Sequence, residues 1–181
     1  MDWIVTEIDG KVASIAADYR HFKRIAAEVA ALPPESIGSV GTRKISTEEL
    51  HEAAQFLSWE DLRLFGSDFQ KKVWKSLYDL SHGPAEALRL YSYSELAAKV
   101  DNPLGVRAVA HAVAINPVAY VIPCHLIVPK ESMDKVNDIR ATALSTLFKG
   151  SDLYLLNSIE VGEYAYGSDV KRELIKMQLG K

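Results

Sequence analysis

Cys124 and His125 are the adjacent pair with the clearest chemical potential: the only cysteine among 181 residues, followed directly by an imidazole. They close the run Asn116-Pro117-Val118-Ala119-Tyr120-Val121-Ile122-Pro123. A thiol attacks carbon as its thiolate, and imidazole is the side chain best tuned to take that proton near neutral pH. Adjacency in sequence does not by itself give a shared hydrogen bond. A lone cysteine also packs well as a small buried hydrophobe. Proline lacks an N–H and favours a rigid, irregular loop over a central strand, so the two flanking prolines suit a loop that presents a side chain. A displayed nucleophile and an inert core residue both remain open at this level.

The surrounding pattern predicts the elements that must hold this loop. Ile4–Ile8 and Val12–Ala16 flank Asp9-Gly10, a dipeptide suited to a tight hairpin turn, so the chain is expected to begin with two antiparallel strands. Ile25, Ala26 and Val29 follow at helical spacing, and Pro33-Pro34 ends that helix. A polar, glycine-containing loop is expected up to Lys44. Ser46 with Glu49 is a capping-box signature for a helix over Thr47–Leu57. Phe69, Val73, Trp74, Leu77 and Leu80 make a buried stripe on the next helix.

Ser92 and Glu95 form a second capping box, starting a short helix through Val100. Asn102-Pro103 reads as a cap followed by proline at the first position of a further helix, running to about Ile115. Two short helices so close together have the helix-turn-helix arrangement, whose second helix can enter a DNA groove. Alanines at 108, 110, 112 and 114 give that helix a narrow profile, which also suits an ordinary core. Val136, Ile139, Leu144, Leu147 and Phe148 predict an amphipathic helix over Met133–Phe148, and Val170, Leu174 and Met177 a final one.

Composition narrows the classes. At 48% hydrophobic the chain can bury a substantial core. One cysteine excludes an internal disulfide framework and a multi-cysteine zinc site, and His21, His51, His82 and His111 show no ligand spacing, so no metal is assigned. The opening residues lack a basic segment followed by an apolar run, and no stretch approaches the roughly 18 apolar residues of a membrane span. A cytoplasmic monomer without membrane contact is expected. The net charge of −3 is not that of a charge-driven nucleic-acid binder. Residues 69–130 differ, with Lys71, Lys72, Lys75, Arg89, Lys99, Arg107 and Lys130 set against Asp79, Glu86, Glu95 and Asp101. That surplus permits DNA contact and equally suits a solvated surface.

Taken in order, Phe69-Gln70-Lys71-Lys72-Val73-Trp74, Ser92-Tyr93-Ser94-Glu95-Leu96-Ala97, Arg107-Ala108-Val109, Asn116-Pro117 and Ile122-Pro123-Cys124-His125 resemble the O6-alkylguanine-DNA alkyltransferases. The likeness covers about residues 67–128, with an echo in Gly162, Gly167 and Lys171. It implies an α+β chain: a small N-terminal α/β lobe over 1–66, its role unassigned, and a mainly helical DNA-binding and active-site domain over 67–181. Residues 129–161 form an insertion relative to the family.

The resemblance further implies irreversible, single-turnover repair of O6-alkylguanine in double-stranded DNA, with the base flipped out and its alkyl group moved to Cys124, without a cofactor. It makes His125 the water-linked base, Tyr93 the proton donor to the leaving guanine and rotator of the phosphate, and Asn116 the brace of the cysteine turn. Arg107 becomes the finger that replaces the flipped base, with Ala108 and Ala112 on the DNA face. Tyr164, Ala165 and Ile127 line the base pocket. Two positions depart from the family: Leu126 stands where an arginine is usual, and Gln178 where the last helix carries a glutamate. Gln can orient a partner but cannot stabilise an imidazolium as a carboxylate does. The alternative is a non-catalytic lesion sensor that binds alkylated DNA and recruits other repair proteins. A third reading keeps the fold as a protein-interaction domain with Cys124 inert.

Overall fold

The computed structural model describes residues 1–17, 19–141 and 154–180. Three strands open the chain. β1 (Asp2–Ile8) and β2 (Lys11–Ala16) form the expected hairpin, with Asp9 and Gly10 both at positive φ in the turn. The third, β3 (Val40–Ser46), pairs antiparallel with the other side of β1, giving the order β2-β1-β3. This corrects the expectation of a loop up to Lys44. Val40–Lys44 are exposed, so they lack the alternation of a half-buried strand, and the strand exists through its backbone ladder on β1.

Helix α1 (Tyr19–Ala30) connects β2 towards β3, and α2 (Thr47–Ala54) carries the full capping box of Ser46 and Glu49. α3 (Asp68–His82) buries Val73, Trp74, Leu77 and Leu80 as its stripe predicts. Next come β4 (Tyr91–Ser92), α4 (Tyr93–Lys99) and α5 (Val106–Ala114). The start of α5 differs from the expected proline at its first position. Asn102–Gly105 forms a turn closed by Gly105 N–H donating to the Asn102 carbonyl at 2.9 Å, and helix begins only at Val106. A β-carbon at Gly105 would lie 2.0 Å from the Asn102 amide nitrogen, so a larger residue there needs that side chain to turn away.

After α5 the chain runs through an irregular loop to a 3₁₀ turn, Cys124–Leu126, and then β5 (Ile127–Val128). β5 pairs in parallel with β4, Tyr91 opposite Ile127 and Ser92 opposite Val128. This two-residue ladder sets the residues after Cys124 beside the residue before Tyr93. α6 (Lys130–Ala141) follows at once, and α7 (Ser168–Leu179) closes the chain. The expected continuation of α6 through Leu144, Leu147 and Phe148 lies outside the described residues.

One apolar cluster runs from Trp3, Val5 and Ile15 of the sheet through Trp74 and Leu77 to Cys124, Leu126 and Leu174. The free edge of β2 takes the cysteine loop directly. Ile15 N–H donates to the Pro117 carbonyl at 2.9 Å, and Ala119 N–H donates to the Ile15 carbonyl at 3.1 Å. Arg24 of α1 adds a bond to the Ile115 carbonyl at 2.8 Å, where α5 ends. Among the described residues, no helix is long and apolar enough to cross a membrane.

Ser92 links strand to helix: its hydroxyl accepts from Glu95 N–H at 3.2 Å while the Glu95 carboxylate accepts from Ser92 N–H at 2.7 Å. A lost cap of this kind costs about 1 kcal/mol. Ser92→Ala is expected to lower unfolding stability by about that amount, read from the urea midpoint, with Glu95→Gln less costly.

Candidate active site

The cysteine loop is organised by one amide. Asn116 is 5% exposed and accepts from Val118 N–H at 3.0 Å, while its Nδ2 donates to the Ile122 carbonyl at 2.7 Å and to Cys124 Sγ at 3.1 Å. Three contacts from one side chain pin both legs of the loop and aim the sulfur. Buried polar groups need such partners, since leaving one unpaired costs about 1–3 kcal/mol.

Cys124 opens on a cavity of about 370 Å³, within the roughly 300–1,000 Å³ of small-molecule sites. Tyr93, Val113, Ala114, Asn116 and Ala119 line it together with Glu163, Tyr164, Ala165, Tyr166 and Lys171. Residues 163–166 of this lining lie between Gly162 at φ +77° and Gly167 at φ +97°, and Lys171 lies on α7. A β-carbon at Gly162 would also press on the Pro129 ring at 3.0 Å. Tyr164 OH lies 3.7 Å from Cys124 Sγ, and Trp3 of β1 braces the loop edge-on through Tyr166 at 5.3 Å between centroids.

His125 is fully buried and meets Gln178 of α7 through Nε2 and Oε1 at 2.6 Å. With the amide oxygen accepting, Nε2 carries the proton and Nδ1 keeps a free lone pair. Nδ1 has no hydrogen-bond partner among the described residues. Burial pushes His125 down to about 3, with the Gln178 bond opposing the fall and the Lys171 charge adding to it. The imidazole is therefore neutral at physiological pH. Burial also pushes the Cys124 thiol up, against the hydrogen bonds of Asn116 and Tyr164 and the charge of Lys171. Lys171 is 1% exposed, and burial brings it down to about 8. Burial first, then Cys124 and Glu163, raises Tyr93, which stays protonated as a donor must.

The sequence-predicted residues separate clearly. Cys124, Asn116, Tyr93, Tyr164 and Ala165 share the cavity, while His125 does not line it and pairs with Gln178. Arg107 and Ala108 are exposed on α5, away from the cavity lining. Two expectations are corrected. Ala112 is 1% exposed and faces the core, its carbonyl taking the Trp74 indole N–H at 2.8 Å, so it offers no outward surface. The outward stripe of α5 is Arg107, Ala108, His111 and Ala114. Ile127 is fully buried in β5 and does not line the cavity, because strand pairing turns it into the core. Leu126 is buried as well, an apolar fit for its position. Glu163 and Tyr166 were missed, and only their nearness to Gly162 and Gly167 could have signalled them. Among the described residues no group of three or more His, Cys, Asp or Glu side chains could hold a metal ion.

Residues 68–138 match the family model described as 6-O-methylguanine DNA methyltransferase, DNA binding domain. A probable methylated-DNA–protein-cysteine methyltransferase of Acanthamoeba polyphaga mimivirus is 42% identical over 40% of this chain and 45% of its own. A methylated-DNA–protein-cysteine methyltransferase of Methanosarcina barkeri is 32% identical over 65% of this chain and 56% of its own. The chain thus spans about half the length of these curated relatives. The crystal structure of O6-methylguanine-DNA methyltransferase from Pyrococcus kodakaraensis superposes with a TM-score of 0.54 over 98% of this chain and 91% of that one, at 21% identity. The mixed α+β fold is shared with it.

The buried neutral histidine gives stability a pH signature. Its folded pKa of about 3 lies below the ordinary 6.5, so unfolded chains bind the proton first as pH falls. The contribution is complete above about 6.5 and is lost towards 3, roughly 3 kcal/mol of it by pH 4. Urea midpoints across pH 7 to 4 are expected to fall more steeply for wild type than for His125→Gln.

Proposed function

We propose that this chain, whose residues 68–138 carry the DNA-binding domain of the 6-O-methylguanine DNA methyltransferase family, repairs O6-alkylguanine in double-stranded DNA by moving the alkyl group onto Cys124. The observation that carries this is Cys124 itself: a sulfur aimed by Asn116 into a cavity between a protonated tyrosine and the Tyr164 loop.

In this reading the thiol proton passes through a water to His125 Nδ1, which the Gln178 bond leaves free. The sulfur forms a bond to the alkyl carbon as the carbon–O6 bond breaks. The electron pair passes into the guanine ring, which takes a proton from the Tyr93 hydroxyl, and that proton is replaced from His125. Thiol and alkylguanine become thioether and guanine, with no cofactor and no net proton change. The Cys124 thioether cannot turn over again.

A base inside a duplex hides its O6, so it must leave the stack at a cost of a few kcal/mol. We assign the entry face to α5, with α4 and the 100–105 turn completing a helix-turn-helix. Arg107 fills the gap left by the base, while Ala108 and Ala114 allow close approach along a groove. Residues 67–181 are the reactive unit, and 1–66 brace its loop. The lesion-sensor reading draws on Gln178: a neutral amide gives no counter-charge to an imidazolium, and His125 is already pushed down to about 3.

Equimolar protein is incubated with a duplex carrying one O6-methylguanine, and the DNA is digested to nucleosides. Restored guanine, capped at one per chain and absent with Cys124→Ala, is the expected result. Unchanged O6-methylguanine with the damaged duplex still held more tightly than an undamaged one would favour the sensor. Gln178→Glu, which places a carboxylate on Nε2, is expected to speed transfer about tenfold in single-turnover assays. A slower Gln178→Glu variant would contradict the role given to His125.

A further inference from the structure

His125 has a second neighbour that the proposed reaction leaves unused. The Tyr120 ring lies nearly parallel to the imidazole, 5.3 Å between centroids and 8° between planes. The Tyr120 hydroxyl meets His51 Nδ1 at 2.5 Å, and His51 belongs to α2, in the N-terminal part of the chain. Burial holds the Tyr120 hydroxyl protonated, and with the His51 proton on Nε2 the hydroxyl donates and Nδ1 accepts. Tyr120 is 1% exposed and holds φ +73°, a left-handed conformation that a residue with a β-carbon adopts only where its surroundings enforce it. The backbone on either side is fixed by Ala119 N–H on the Ile15 carbonyl and by Val121 N–H on the Ala119 carbonyl. The ring has been placed with some strain, and its place is the face of His125.

We infer that Tyr120, held and polarised by His51, is a positioning residue that supports His125 as an imidazolium when Cys124 gives up its proton. This rests on the reading above only in taking His125 as the acceptor of that proton. Gln178 fixes the ring through Nε2 but brings no negative charge to it. An aromatic face attracts a cation lying over it, more strongly where water is excluded. Both rings are fully buried or nearly so. A phenol that donates its hydrogen bond gains electron density on oxygen and ring, so the His51 contact deepens that attraction. The pair thereby takes over part of the work that a carboxylate at position 178 would do. It also makes α2 part of the reactive apparatus, acting through Tyr120 and not through DNA.

The test uses a reagent that needs no DNA. Iodoacetamide alkylates Cys124 by forming a carbon–sulfur bond as iodide leaves, with the thiol proton passing to His125, and intact mass follows the rate. Wild type, Tyr120→Phe, Tyr120→Leu, His51→Ala and His51→Gln are compared, with melting temperatures recorded beside the rates. Tyr120→Leu is expected to react about tenfold more slowly and Tyr120→Phe about threefold. His51→Ala should match Tyr120→Phe, and the two changes combined should slow the reaction no further, since they remove one interaction. His51→Gln, whose Oε1 can still accept from the hydroxyl, should recover most of the wild-type rate, a rescue that loss of packing alone does not produce. If Tyr120→Leu fails to fold, Tyr120→Phe and the His51 pair carry the same comparison. Equal rates across the series, rates that follow melting temperature alone, or a wild-type thiol inert to the reagent would overturn the inference. If wild type leaves O6-methylguanine in DNA untouched while this ordering holds, the repair reading fails and the inference stands.

Discussion

The Asn116 side chain is the constraint on which the site depends. Without it, the segment from Pro117 to Pro123 is an apolar run with prolines at both ends and few backbone bonds of its own. Its amide takes Val118 N–H on one leg, reaches the Ile122 carbonyl on the other, and spends its second N–H on the sulfur. No apolar residue could close the loop and also aim the thiol. The rest of the fold is arranged around that closure. The β2 edge receives Pro117 and Ala119, Arg24 holds the end of α5, and the β4–β5 ladder fixes the exit from Leu126 while bringing Tyr93 to the other wall.

The electrostatics follow from burial. Sinking Cys124 and His125 together disfavours the thiolate and the imidazolium alike, so the resting pair is uncharged. That keeps the thiolate fraction low and leaves reactivity to be supplied by neighbours. Asn116, Tyr164 and Lys171 act on the sulfur, and Gln178 and Tyr120 act on the imidazole. In the proposed reaction, charge on His125 has a neutral amide at Gln178 and the Tyr120 ring as its neighbours, and no carboxylate.

Local signals in the sequence were read well where one side chain acts on its own backbone. The capping boxes of Ser46 and Ser92 form as predicted, and the stripe Val73, Trp74, Leu77 and Leu80 is buried as its period requires. The Asn116 to His125 run was legible because its residue types are unusual together. Non-local choices were not. β3 is exposed and carries no alternation, so only its pairing with β1 reveals it. On α5, Arg107 and Ala108 face outward as expected but Ala112 does not, because an alanine-rich helix marks its buried face only through Val109 and Val113, and Ala112 falls with them. Ile127 was assigned to the pocket, but a parallel ladder of two residues turned it inward. His51 and Tyr120 lie 69 residues apart and signal nothing locally. Their meeting requires α2 and the cysteine loop to be packed side by side.

In the proposed reaction Cys124 receives the alkyl group itself. The most direct measurement is the intact mass of the chain, then of its Cys124 peptide, after incubation with a duplex carrying a deuterated O6-methyl group. Transfer to Cys124 gives one labelled methyl per chain, on the Cys124 sulfur and nowhere else. A label on any other residue, or restored guanine with an unmodified protein, would contradict it.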